Sequence, residues 1–127
     1  MAASCYISVG SNMGNRPLNI KKALKLLSSD KGVVIKKKSP LYKTKAVGPQ
    51  PQGDFLNGAI EIETMLSADD LLSVLKSIET ALGRDKDNVR WGPRPIDLDI
   101  LFYDSMVRQD NDLKIPHPLL AERDFVL

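Results

Sequence analysis

The chain has 127 residues, 43% apolar and 27% charged, with a net charge of +2. That length fits one compact domain, and near-neutrality argues against a general nucleic-acid binder, which needs a strongly basic surface. No apolar run approaches the length a bilayer span needs; the start, "MAASCYISVG", lacks the basic region and long apolar stretch of a signal peptide, so the cytosol is the expected compartment. The single cysteine, Cys5, sits in an apolar stretch with no partner for a disulfide and is expected as a small core residue.

In chain order, "CYISVGSN" reads as a strand in which Tyr6 alternates with Ser8 and Ile7 with Val9, with a turn expected at Gly10. "NRPLNIKKALKLLSS" reads as a helix with Pro17 in its first turn and an apolar stripe of Leu18, Ile20, Ala23, Leu24 and Leu27. "GVVIKKKSPLYKT" is a second extended stretch divided by Pro40, and "VGPQPQGD" a loop. "FLNGAIEIET" is a strand with Phe55, Asn57, Ala59, Glu61 and Glu63 on one face and Leu56, Gly58, Ile60 and Ile62 on the other. Ser67 and Asp70 resemble a capping box for a helix that buries Leu71, Leu75, Ile78 and Leu82 and stops at Gly83. "RDKDNVRWGPRP" is a basic loop, "IDLDILFYD" a strand, and "LKIPHPLLAERDFVL" a short extended piece followed by irregular structure. The order strand, helix, strand, strand, helix, strand predicts an α+β fold. The expected arrangement is a ferredoxin-like two-layer sandwich with a mainly antiparallel sheet and both helices on one face.

The last strand carries the chemistry. Alternation puts Ile96, Leu98, Ile100 and Phe102 on one face and Asp97 and Asp99 on the other. Two residues apart on a strand, the carboxylates have Cα atoms roughly 6.5–7 Å from each other. Such a pair can be two solvated aspartates on an exposed face. It can also be offset by cations, and two sources are at hand. Arg84, Lys86, Arg90 and Arg94 crowd the preceding segment. A hard divalent ion such as Mg²⁺ takes carboxylate oxygens and keeps waters for a phosphate substrate. Carboxylate-held metal facing several cations suits phosphoryl transfer from a nucleotide, here without a P-loop, since no G-x-x-x-x-G-K-[ST] occurs.

"RWGPRPIDLDIL" resembles the signature of the 6-hydroxymethyl-7,8-dihydropterin pyrophosphokinases of folate synthesis, and "SVGSNMGNR", "GPQPQGDFLNGAIEIET" and "IPHPLLAERDFVL" extend the resemblance over essentially the whole chain. The resemblance implies a ferredoxin-like core and transfer of the β,γ-diphosphate of ATP to the pterin hydroxymethyl oxygen, releasing AMP, with two Mg²⁺ ions. It implies Asp97 and Asp99 as ligands of both metals and Arg84, Arg94 and Arg123 as triphosphate contacts. By the same resemblance Arg90 and Trp91 are expected in a loop that closes over the substrates. Ile100 is expected to frame adenine through its backbone, Glu79 to lie on the nucleotide side, and His117 to contact phosphate. Asn57 is expected to read the polar edge of the pterin, Phe55 and Phe125 to sandwich its ring, and Thr44 with the backbone near Val47 to complete the slot. Phe55 departs from the tyrosine frequent in relatives, keeping the stacking face without the hydroxyl. Relatives continue past the equivalent of "FVL", so residues 1–127 are expected to be a single such domain lacking that C-terminal segment. The implied partners are ATP and the pterin alcohol, with no nucleic acid and no membrane.

Each assignment has a plainer competitor. Phe55 fits core packing alone, His117 between two prolines fits a structural hydrogen bond, Trp91 can anchor its own loop, and Lys36, Lys37 and Lys38 read as a solvated strand end. Asn57 is harder to explain that way, because strands disfavour Asn and a buried amide needs partners. A ferredoxin-like RNA-binding module is a rival from another class, but paired aspartates on the sheet's polar face repel a phosphate backbone. A metal-dependent nuclease also uses paired aspartates. The slot of Phe55, Asn57 and Phe125 favours a small heteroaromatic substrate over both.

Overall fold

The structure, a computed structural model, describes residues 2–44, 55–83, 95–109 and 113–116. The first strand, β1 (Ala3–Ser11), buries Ala3, Cys5, Ile7 and Val9 and leaves Ser4 and Tyr6 exposed on its other face. The expected turn at Gly10 is not there: the strand runs through it to Ser11, and the chain turns at Gly14, whose φ of +69° lies in the left-handed region that glycine tolerates. Asn15 then caps α1 (Arg16–Ser28), its side chain accepting from the Leu18 amide at 3.2 Å, with Pro17 in the first turn.

Helix α1 buries Ile20, Ala23 and Leu27, and Leu24 packs partly against the same core. Leu18, expected in that stripe, is 42% exposed. It lies two residues before Ile20, about 200° round the helix, and so points away from the buried side. After α1 come β2 (Val33–Lys38) and β3 (Tyr42–Thr44), separated at Pro40 as expected and both paired with β4 (Phe55–Thr64). Ser39 bridges the interruption, its amide donating to the Ala59 carbonyl at 2.8 Å and its hydroxyl accepting from the Ala59 amide at 2.9 Å.

Helix α2 (Ala68–Ala81) starts at Ser67, whose hydroxyl accepts from the Asp70 amide at 3.1 Å. Asp69 and Asp70 in its first turn complement the helix dipole. The helix buries Leu71, Leu75 and Ile78, while Leu82 is only half-buried, and Gly83 with φ +100° follows its end. Among the described residues the remaining strands are β5 (Asp97–Tyr103) and a small pair, β6 (Arg108–Gln109) with β7 (Lys114–Ile115); β7 is the short extended piece expected there, whereas β6 is not among the expected elements. Leu113 and Ile115 join the main core.

The main sheet has the order β2–β4–β1–β5, with β3 also on β4, and every pairing is antiparallel. Buried residues of both helices pack against Cys5, Ile7, Val9, Ile60, Ile62, Leu98 and Ile100, so α1 and α2 cover the same face. The fold of the described residues is therefore α+β, with an antiparallel sheet and two helices. Among the described residues no helix is long and apolar enough to cross a membrane.

One strand face departs from the expectation. Ile7 pairs with Ile100 but Tyr6 pairs with Phe102, so Leu101 is a bulge residue without a partner of its own on β1. The extra residue reverses the alternation. Phe102 therefore stands on the face opposite the helices, its ring edge-to-face with Tyr6 at a centroid distance of 6.2 Å, instead of continuing the apolar row of Ile96, Leu98 and Ile100. Residues 47–54 and 84–94, expected as loops, lie outside the described residues.

Candidate active site

Residues paired across an antiparallel ladder point to the same side of the sheet, so register alone assembles the polar face. Tyr42 of β3, Asn57 of β4, Gly10 of β1 and Asp97 of β5 stand in one row. Ala59, Ser8 and Asp99 form the next. Phe55 precedes Asn57 by two residues on the same side, opposite Thr44 in the ladder. Asn57 and Asp97 are two strand spacings apart, about 9.5 Å. Residues distant in the chain thus converge, because β1 runs between β4 and β5.

The burial on this face is unlike that of a washed surface. Asn57 is 5% exposed and Ser8 2%, while Phe55, Asp97 and Asp99 are half-buried. A buried amide is stable only with hydrogen-bond partners, and among the described residues no buried side-chain polar atom lacks one. Partial burial matters for the two aspartates, since charges interact more strongly beside low-dielectric protein than in bulk water.

Between them stands Leu98, buried on the helical side. Its amide donates to the Glu79 carboxylate at 2.9 Å, and Glu79 is itself only 4% exposed. A glutamate is seldom so buried. Here α2 lies along the last strand of the sheet, and the carboxylate holds β5 at the Asp97–Leu98 peptide, between the two aspartate side chains. Glu79, expected on the nucleotide side, is placed against the backbone of β5. Ile100 points into the core, which leaves its backbone rather than its side chain to meet a ligand.

The described residues bring together Phe55, Asn57, Asp97 and Asp99, with the Thr44 backbone beside Phe55. Val47, Arg84, Arg90, Trp91, Arg94, His117, Arg123 and Phe125 lie outside the described residues. Alternation put Ser8 with Tyr6, but only the register shows that Ser8 faces Asp99 and that Gly10 lies between Asn57 and Asp97. Glycine inside a strand pattern was the available signal, since it often marks a close approach.

Asp97 and Asp99 offer oxygen donors on one face. Among the described residues no group of three His, Cys, Asp or Glu side chains could hold a metal. Two carboxylates suit Mg²⁺, which binds through one or two of them and takes its other ligands from water and phosphate. Cys5 is no rival centre. It is fully buried, and burial, with a smaller push from the Asp104 carboxylate, raises its thiol to about 12. A cavity of about 690 Å³ beside α1, lined by Ile20, Leu24 and Ile35 with Lys21, Lys25 and Lys38, includes none of the candidate residues.

Comparison with known proteins identifies the family. The pattern of the family described as 7,8-dihydro-6-hydroxymethylpterin-pyrophosphokinase (HPPK) matches residues 6–127. The 2-amino-4-hydroxy-6-hydroxymethyldihydropteridine pyrophosphokinase of Bacillus subtilis is 43% identical over 96% of this chain and 72% of its own length. The protein of the same name from Aquifex aeolicus is 42% identical over 97% of this chain and 75% of its own. The mitochondrial folate synthesis bifunctional protein of Arabidopsis thaliana is 49% identical over 95% of this chain, which spans only 22% of that longer protein. With the match running through the strand of Asp97 and Asp99 and the strand of Asn57 alike, the chain belongs to the 7,8-dihydro-6-hydroxymethylpterin-pyrophosphokinase family.

Proposed function

We propose that this chain transfers the diphosphate of ATP to the hydroxymethyl oxygen of 6-hydroxymethyl-7,8-dihydropterin. The pterin oxygen attacks the β-phosphorus, the bond from that phosphorus to the oxygen of the α-phosphate breaks, and AMP leaves as the hydroxyl proton is lost. The observation that carries this reading is the single row holding Asn57 and Asp97. A residue whose amide can donate and accept stands two strands away, about 9.5 Å between backbones, from a residue whose carboxylate suits metal-bound phosphate.

Each candidate residue then has a part, including those outside the described residues. Asn57 reads the polar edge of the pterin, and Phe55 supplies one flat face to its ring. Thr44 closes the slot beside Phe55, together with Val47, and Phe125 supplies the second aromatic face. Asp97 and Asp99 would hold two Mg²⁺ ions, which would neutralise phosphate charge and align the reacting groups. Glu79 steadies the peptide between the two carboxylates. Arg84, Arg94, Arg123 and His117 bind the phosphates, Ile100 frames adenine through its backbone, and closure of the segment bearing Arg90 and Trp91 excludes water that would otherwise hydrolyse ATP. No serine, cysteine or histidine nucleophile is required, because the pterin brings its own hydroxyl. The ferredoxin-like reading of the fold belongs to the same proposal and draws support from the antiparallel order β2–β4–β1–β5.

The test is a single assay. AMP should appear from ATP only when Mg²⁺ and the reduced pterin alcohol are both present, in equal amount to the pyrophosphorylated pterin. AMP formation that ignores the pterin would overturn the proposal.

A further inference from the structure

Gly10 is not a turn residue, and its φ lies outside the left-handed region, so its backbone would accept any side chain. What it lacks is room. A Cβ built there would lie 2.6 Å from Oδ1 of Asn57 and 3.5 Å from Cδ1 of Phe55. The first distance is well inside van der Waals contact, whereas the second is ordinary contact. Both neighbours belong to the pterin slot of the proposed function, on which this inference rests.

We infer that Gly10 is the positioning residue of the pterin slot: the hydrogen in place of a side chain is what lets the Asn57 amide lie flat on β1, facing the substrate edge. The same bare position keeps the floor clear between Asn57 and Asp97, its two partners in the ladder. A methyl group at position 10 meets the far end of the Asn57 side chain, not backbone. The amide can swing away by rotating its torsions, giving up the contacts it makes now, without the strand having to move. The sheet should therefore survive the substitution while the amide loses its place.

The experiment is a double-substitution cycle on the full chain, read by calorimetry with the reduced pterin alcohol and, separately, with ATP and Mg²⁺. Gly10→Ala should weaken pterin binding at least tenfold, leave nucleotide binding within twofold, and shift the Asn57 side-chain amide signals in the NMR spectrum of the unliganded protein. In an Asn57→Ala background no Oδ1 remains to collide, so adding Gly10→Ala should weaken pterin binding less than twofold further. The inference is overturned if Gly10→Ala binds the pterin as the unsubstituted protein does, if the two losses are fully additive, or if Gly10→Ala fails to fold, since the strain would then have gone into the strand. An unsubstituted protein that binds no pterin sinks the functional reading instead, and the amide signals still decide whether the contact sets the Asn57 position.

Discussion

The two faces of the main sheet are built from the same strands and obey different rules. On the helical side Cys5, Ile7, Ile62 and Ile100 are each no more than 2% exposed and belong to one apolar core with α1 and α2. On the other side the same strands present Ser8, Asn57, Asp97 and Asp99, polar groups in positions where apolar ones would stabilise more simply. The difference teaches where each residue's effect should be read. Substitutions on the helical face should change stability and leave the chemistry of the folded fraction alone. Those on the polar face should do the reverse.

The sharpest break of that contrast would come from the aspartates. Asp97→Ala and Asp99→Ala should each lower turnover about a thousandfold or more, several kcal/mol in the transition state. The melting temperature without ligands should move far less than turnover, because each substitution relieves a like-charge repulsion while giving up the contacts that aspartate makes. Steady-state AMP release at saturating Mg²⁺ measures the first quantity and a thermal melt the second. Near-normal Mg²⁺-dependent activity in either variant would falsify the metal assignment. From the opposite face, Ile62→Ala should cost about 2–5 kcal/mol of stability, from lost burial and the cavity left behind. Urea unfolding reads that loss, and kcat per folded molecule should stay within twofold. A large fall in kcat would mean that the core shapes the site more directly than the two-face picture allows.

How far the sequence carries differs between strands for a physical reason. Nine of the ten residues of β4, Leu56 to Thr64, pair with β1 without a slip, so alternation alone assigns Asn57 and Ile62 to opposite faces. In β5 the same rule holds through Ile100 and fails at Phe102, because the bulge at Leu101 adds a residue that nothing in "DILFY" announces. Helix α2 is plain from its cap at Ser67 and its spacing of Leu71, Leu75 and Ile78. Glu79 is not, since its carboxylate is buried by its position along the last strand, a tertiary fact. The paired aspartates are visible as a motif, whereas their alignment with Asn57 depends on strand order, which no local pattern fixes.

Glu79 touches both sides of the comparison, because a residue in the helical layer holds the backbone of the functional strand. Replacing it with leucine should leave the Leu98 amide buried without its acceptor, a cost of about 1–3 kcal/mol. It should also raise the Mg²⁺ concentration for half-maximal activity, as the spacing of Asp97 and Asp99 loosens. Glu79→Gln keeps an acceptor oxygen and should recover most of both losses. Urea melts and Mg²⁺ titrations of the two variants give the answer. If Gln keeps the stability but raises KM for ATP, Glu79 meets the nucleotide directly and its bond to β5 is the lesser role.

The smallest effect expected comes from Cys5, the one residue of the helical face whose name suggests chemistry. Burial pushes its thiol up to about 12 from an ordinary value of 9.0, with the Asp104 carboxylate adding to the shift. A raised pKa favours the protonated form in the folded state. The thiol therefore contributes its full share of stability below about pH 9 and loses it as the pH rises from there towards 12. Near neutrality the residue should behave as a small apolar side chain. Cys5→Ala should keep full activity, with only a modest loss of stability at pH 7 and a shallower fall above pH 9. An alkylating reagent at pH 8 should label the native protein far more slowly than the protein unfolded in urea. Rapid labelling of the folded chain, or loss of turnover in Cys5→Ala, would show that the helical face is not the closed apolar layer described and that the division of labour between the two faces is incomplete.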